Sequence, residues 1–151
     1  MDHGIYGAEL FLQGYNCAQA VTVAFCDVTG LTPEFSARMA SSFGGGMGRM
    51  REVCGAVSGM LMVAGLLYGY DDPGEKDVNK KAHYQLVQEL AGAFREEIGS
   101  IVCREILKNP PSDPNPTPRT EEFYKTRPCA RMVMTAARIL DEYIAEHPVE
   151  G

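Results

Sequence analysis

The sequence has no cluster of basic residues, so it lacks the positive patch that nucleic-acid-binding proteins use. Asp and Glu number 20 against 14 Lys and Arg, which gives a net charge of -6 and a pI of about 5.0. Binding to a phosphate backbone depends on concentrated positive charge. We therefore expect no nucleic acid among the partners of this chain.

An export signal and a long membrane-spanning run are missing too. Residues 1–9 have neither a basic start nor a continuous apolar stretch, so we expect a cytoplasmic protein. The most apolar segment, residues 53–70, only reaches the lower length limit of a membrane span and contains several glycines. A buried helix is the better interpretation, and we expect no membrane association.

Alternation of apolar and polar residues, which is typical of a half-buried strand, does not occur over any useful length. The sequence therefore predicts an all-α fold. With 151 residues the chain is long enough for one core and too short for a second domain, so we predict a single helical domain over residues 1–151. We expect a compact bundle of about six helices, with the proline-rich residues 109–118 as a loop before the last helices.

Helical periodicity covers most of the remaining chain. The main patterns lie at residues 7–15, 17–26, 53–70, 75–98 and 128–144, and shorter ones lie at 33–42, 101–107 and 120–125. Asn16, Thr32 and Ser100 are side chains of the type that caps helix starts, and we expect each to do so. The three histidines are isolated in the sequence and are expected at the surface or at helix ends.

Four of the five cysteines lie at predicted helix starts, where unpaired N–H groups and the helix dipole favour a thiolate over a thiol. They are Cys17, Cys54, Cys103 and Cys129. Cys26 lies late in a helix and is expected in the core. If the helix starts converge, the four sulfurs form one electropositive site. Arginines would add positive charge wherever they turn inward, and the candidates are Arg49, Arg51, Arg104, Arg127 and Arg131.

A glycine-rich loop over residues 43–48 leads into the helix that starts at Cys54. Glycine tolerates positive φ and close backbone approach, so a run of glycines indicates that the chain needs one or both there. We expect the loop to bring Cys54 close to the other three sulfurs. We also expect Gly45, Gly46 and Gly55 to contact a bound cofactor.

A four-thiol site can do two kinds of chemistry, because thiolates bind soft metals or iron–sulfur clusters and also exchange with disulfides. Zinc is the less expected metal, since structural zinc sites normally contain a close Cys-x-x-Cys pair. Here the four cysteines lie more than twenty residues apart. An iron–sulfur cluster or another metal stays open, and so does dithiol exchange, which tolerates any sequence separation.

Several motifs occur together in an order that one known family shares. They are Gly14-Tyr15-Asn16-Cys17-Ala18, Phe43-Gly44-Gly45-Gly46-Met47-Gly48, Cys54-Gly55-Ala56-Val57-Ser58-Gly59, Ser100-Ile101-Val102-Cys103 and a late Cys129. Over nearly its whole length the chain resembles the redox-active proteins labelled C_GCAxxG_C_C. The resemblance implies a small helical protein with a redox role, and it assigns the four signature cysteines to Cys17, Cys54, Cys103 and Cys129.

The sequence therefore predicts a redox-active protein whose four cysteines form one site. The site would act by thiol–disulfide exchange or by holding a metal or iron–sulfur centre, and it would serve an unidentified redox partner. The alternative is a non-enzymatic metal-binding or helical interaction module with structural cysteines. The glycine-containing face of residues 55–69 also suits self-packing, so we consider a homodimer.

Overall fold

The computed structural model describes residues 1–73 and 78–149, and this part of the chain is built from α-helices. They are α1 (His3–Leu12), α2 (Cys17–Ala24), α3 (Cys26–Thr29), α4 (Pro33–Ala40), α5 (Gly55–Tyr68), α6 (Val78–Ile98), α7 (Cys103–Ile106), α8 (Glu121–Thr126) and α9 (Cys129–Glu146). A short 3-10 helix, Ser41–Phe43, follows α4. The described residues contain no strand, only an isolated antiparallel bridge between Val53 and Val102. The predicted all-α class is confirmed.

The nine α-helices of the described part exceed the predicted number of about six. Residues 17–29 form two helices rather than one, because the chain leaves helical geometry at Phe25 before α3 begins. The short pattern predicted at residues 120–125 forms a separate helix over residues 121–126. The first helix begins at His3, earlier than predicted, where the Asp2 side chain accepts a hydrogen bond from Ile5 N. Residues 75–77 of the predicted long helix lie outside the described residues.

The hydrophobic core joins α1, α2, α5, α6 and α9. Its largest fully buried side chains include Phe25, Phe94, Met60 and Leu140. Helix α5, which lies in the most apolar segment of the sequence, has 14 residues. No helix within residues 1–73 and 78–149 is both long enough and apolar enough to cross a membrane.

Local capping explains where several helices begin. The Asn16 side chain accepts from Gln19 N while the Gln19 side chain accepts from Asn16 N, which is the reciprocal arrangement of a capping box. Thr32 caps α4 in the predicted way, accepting from Phe35 N just before Pro33. The sequence signal for α2 and α4 is therefore local, and both predicted starts are confirmed.

The predicted cap at Ser100 is wrong. Helix α7 begins only at Cys103, and Ser100 Oγ instead accepts from Val102 N in an extended segment. This segment pairs with residues 52–54: Cys54 N donates to Ile101 O at 2.7 Å, and Cys103 N donates to Glu52 O at 2.6 Å. The pairing holds Cys54 and Cys103 next to each other, although they are far apart in the sequence.

His3 lies at a helix end, as predicted, but it is buried rather than on the surface. Its Nδ1 lies 2.6 Å from Asp141 Oδ1 on α9, and its Nε2 lies 2.9 Å from Asp27 Oδ1 on α3. The ring stacks on Phe25 with the centroids 4.1 Å apart. His3 therefore links the start of α1 to α3 and α9.

Candidate functional site

The four signature cysteines, Cys17, Cys54, Cys103 and Cys129, line one cavity of about 320 Å³. Cys17, Cys103 and Cys129 are the first residues of α2, α7 and α9, and Cys54 is the residue just before α5. Cys17, Cys54 and Cys103 are buried, and Cys129 is half-buried. All five cysteines carry free thiols. The structure thus brings together side chains that the sequence separates by more than twenty residues.

Cys26 is not part of this cavity. It lies half-buried at the start of α3 with its Sγ 3.3 Å from Ser36 Oγ. The expectation that it is a core residue is therefore met only in part, because the break at Phe25 shifts it toward the surface. Its separate position makes it a natural reference for the other four thiols.

Two glycines are required by close contacts between the thiol-bearing segments. A Cβ added to Gly55 would lie 2.4 Å from Cys17 Sγ and 2.8 Å from Phe43 O. A Cβ added to Gly46 would lie 2.8 Å from Cys103 Cβ, at a φ of +70°. Gly45 and Gly55 line the cavity, whereas Gly46 lies behind Cys103. The loop therefore fits closely around Cys17 and Cys103.

The loop after the 3-10 helix makes a left-handed turn. Residues 45–49 all have positive φ, and these include Met47 at 68° and Arg49 at 69°; Arg51 follows at 62°. For a residue with a Cβ this conformation costs roughly 1–2 kcal/mol. Hydrogen bonds from Arg51 N to Gly45 O and from Glu52 N to Gly46 O close the turn. Sequence reasoning anticipated positive φ at the glycines but not at the two arginines.

Arg51 is the most deeply buried charged side chain at the site, with 4% of its surface exposed. Its Nε donates to Pro111 O at 2.9 Å, and its Nη1 lies 3.8 Å from Cys103 Sγ. Its Nη2 is buried and has no hydrogen-bond partner within the described residues. The positive charge next to Cys103 is thus only partly satisfied by the protein.

Three further arginines line the cavity: Arg49, Arg119 and Arg127. Arg49 donates to Thr117 Oγ1 and to Asp113 O in the proline-rich loop. Burial is the main cause that lowers the pKa of Arg49, and the charges of Arg51 and Arg127 lower it further. The guanidiniums therefore lie close enough to repel one another.

Sequence reasoning missed Arg119, because nothing in its neighbourhood signals a role. It donates to Phe11 O and Tyr15 O and lies over the Phe11 ring at 4.3 Å from the centroid. Two candidates from the sequence do not reach the cavity wall. Arg104 pairs with Glu52 on the outside, and Arg131 is exposed on α9.

The expectation of stabilised thiolates is wrong for three of the cysteines. Burial raises the pKa of Cys17, of Cys54 and of Cys129, in the last case to about 12. The N–H groups of Ala56 and Val57 at the start of α5 lower the pKa of Cys54, but the loss of solvation outweighs them. The protein alone therefore keeps these thiols neutral at physiological pH.

The sulfurs also influence one another. A charge on Cys17 raises the pKa of both Cys54 and Cys129, and a charge on Cys103 raises that of Cys17. Among the described residues, however, no three His, Cys, Asp or Glu side chains converge so as to hold one metal ion. The thiols surround a common space instead of meeting at a point.

Comparison with known proteins identifies the family. The sequence profile of the family described as "Putative redox-active protein (C_GCAxxG_C_C)" matches residues 15–143. The chain belongs to this family. The matched region of this C_GCAxxG_C_C protein contains all four cavity cysteines and all four cavity arginines. The comparison with curated proteins found no match, and neither did the comparison with solved structures.

Proposed function

We propose that this C_GCAxxG_C_C protein transfers electrons through an iron–sulfur centre held by Cys17, Cys54, Cys103 and Cys129. One observation carries the proposal: four thiols from separate helix starts surround a single cavity without converging on one point. In a four-iron cluster each cysteine binds a different iron, so the ligands surround a body rather than a single ion. The centre would supply one-electron redox chemistry when bound.

A mononuclear metal site agrees less well with this geometry. A structural zinc ion needs four ligand atoms at about 2.0–2.3 Å from one position. No three cysteine, histidine or carboxylate side chains in the described ranges provide such a position. The spread of the thiols around about 320 Å³ therefore supports a larger group.

Thiol–disulfide exchange agrees less well with the electrostatics. The attacking species in exchange is the thiolate, and its formation is the step that burial disfavours. Since burial raises the pKa of Cys17, Cys54 and Cys129, few of these thiols ionise at neutral pH. A metal cation instead displaces the thiol proton directly, so buried thiols remain competent ligands.

The residues around the thiols favour the binding of an anionic group. Four thiolates bring negative charge into the cavity, and the buried Arg51 guanidinium lies next to Cys103. Backbone N–H groups of Ala56 and Val57 point to Cys54 at the start of α5. Such donors stabilise sulfur ligands and tune the reduction potential of iron–sulfur centres.

Anaerobic reconstitution with iron and sulfide tests the proposal. We expect about four iron and four sulfide ions per chain, with a visible absorption that bleaches on reduction. The variant C54S should lose most of this loading, because one iron loses its ligand. The matched control is C26S, since Cys26 lies outside the cavity, and it should load like the wild type.

Other outcomes would overturn the proposal. Full loading of C54S or equal losses in C54S and C26S would show that the cavity is not the binding site. Stoichiometric zinc without colour would favour the structural-cysteine alternative. Iron-free protein that loses about two free thiols on mild oxidation and regains them on reduction would favour exchange.

A further inference from the structure

Arg51 has a hydrogen-bonding capacity that the described protein does not use. Only 4% of the surface of Arg51 is exposed, and its Nη2 is buried with no partner among the described residues. Leaving a buried charged donor unpaired is unfavourable, because the group has lost water without gaining an acceptor. The other two nitrogens already face Pro111 O and Cys103 Sγ. Nη2 is therefore the one nitrogen of this guanidinium that lacks an acceptor in the described part of the chain, and Arg51 lines the cavity.

Arg127 has similar spare capacity. It lines the same cavity, and within the described chain its guanidinium makes no side-chain hydrogen bond and only lies 5.3 Å from the Phe123 ring centroid. Arg49 and Arg119 complete the basic lining, but their donors are occupied by carbonyl and hydroxyl oxygens. No carboxylate is among the cavity-lining residues of the described part. The lining residues therefore carry positive charge in a protein whose net charge is -6, although Asp113 pairs with one of them, Arg49, at 4.0 Å.

We propose that the cavity also binds a small oxyanion, with Arg51 Nη2 as the main donor and Arg127 as the second. Carboxylate, phosphate and sulfate groups share the chemistry that a guanidinium recognises best, namely oxygen acceptors with negative charge. The proposal deepens the proposed function and rests on it, because it names the substrate class that would lie beside Cys103. It assigns binding only, and no bond is formed or broken.

The acceptor for Nη2 is an oxyanion rather than another sulfur ligand. Nη1 already contacts Cys103 Sγ, so the cysteine sulfur beside the guanidinium is engaged by a different nitrogen. With Nε and Nη1 engaged, Nη2 has the remaining N–H groups of the guanidinium, and charge-assisted N–H···O bonds to an anionic oxygen are stronger than neutral ones. The cavity lies in the size range of small-molecule sites, which is roughly 300–1,000 Å³.

Calorimetry with inorganic phosphate tests the proposal, with chloride at matched ionic strength as the reference. The titration is made on reduced iron-free protein and on protein loaded with iron and sulfide. We expect phosphate to bind both forms. The variants R51Q and R127Q should each weaken binding about tenfold or more. The control R131Q removes an equal charge from an exposed position outside the cavity and should bind like the wild type.

Three results would overturn the proposal: heats equal to those of chloride, unchanged binding in R127Q, or binding that disappears once iron and sulfide are loaded. The last result would mean that the free N–H group belongs to the centre itself. Iron and sulfide content is measured on the same samples. A chain that binds phosphate but never loads iron would refute the proposed function alone, whereas one that loads iron without binding phosphate would refute only the oxyanion site.

Discussion

Replacing Gly55 with alanine should damage both stability and the four-thiol site. The added Cβ would lie 2.4 Å from Cys17 Sγ, 2.8 Å from Phe43 O and 3.2 Å from Ala18 N. Two of these atoms belong to the backbone, so they cannot turn aside as a flexible side chain would. Cys17 itself is buried at the start of α2. The variant must therefore shift α5 away from α2 or push the Cys17 sulfur out of place.

The size of the effect follows from two opposing contributions. Overpacking a close-packed site costs about 1–3 kcal/mol. Alanine recovers up to about 1 kcal/mol of helix propensity at a helical position. The net loss in the free energy of unfolding is at most about 3 kcal/mol, with a middle value of about 1.5 kcal/mol, which lowers Tm by about 3–6 °C for a chain of this length. Iron loading of the variant should fall as well, because Cys17 is displaced.

The matched control is Gly92→Ala on α6. A Cβ at Gly92 meets no atom within 4 Å, so the propensity gain is unopposed and Tm should rise by about 2–4 °C. Thermal unfolding followed by circular dichroism measures Tm, and iron analysis after reconstitution measures the iron content. If G55A matched G92A in Tm and in iron content, the close approach of α5 to Cys17 would be refuted.

Two further predictions concern stability. In reduced iron-free protein, burial raises the pKa of Cys129 to about 12, so this thiol stays neutral in the folded state while it ionises in the unfolded state above about pH 8.5. The free energy of unfolding should therefore fall as pH rises toward 11. This fall should be steeper in the wild type than in C129S by up to about 1.4 kcal/mol per pH unit. Equal pH slopes for the two proteins, measured by urea denaturation, would contradict the prediction. Replacing His3 with alanine removes the link between Asp27 and Asp141 and should cost about 2–4 kcal/mol. The ring of the exposed His147 stacks on Tyr143, so the His147→Ala control should cost less, about 0.5–1.5 kcal/mol, and similar losses in both variants would refute the bridging role.

Helix starts with a local cause could be predicted from the sequence. The caps at Asn16 and Thr32 lie within three residues of the groups that they bond, so the sequence around them contains the whole interaction. Ser100 has the same residue type, but its segment pairs with residues 52–54. That pairing depends on residues almost fifty positions away, and no local pattern reports it.

Part of the candidate site could be predicted as well. The shared position of four cysteines at helix starts indicated convergence, and the structure brings all four to one cavity. The sign of their pKa shifts could not be predicted, because it depends on how completely the folded chain excludes water. The same holds for Arg119, whose role comes from contacts with Phe11 and Tyr15.

Neutral thiols and partly unpaired arginines are complementary features of one cavity. Arg51 and Arg127 have no ion pair within the described residues, whereas Arg49 pairs with Asp113, and burial keeps the thiols of Cys17, Cys54 and Cys129 protonated. Loading with iron releases those protons, so it should become more complete as pH rises. The iron and sulfide ions would offset only part of the thiolate charge, so the loaded centre would stay anionic and balance part of the arginine charge, and Nη2 of Arg51 is the donor that remains without a protein partner in the described residues. The high thiol pKa and the proposed oxyanion site therefore belong to one electrostatic arrangement, in which metal removes the protons and the anion balances the arginines.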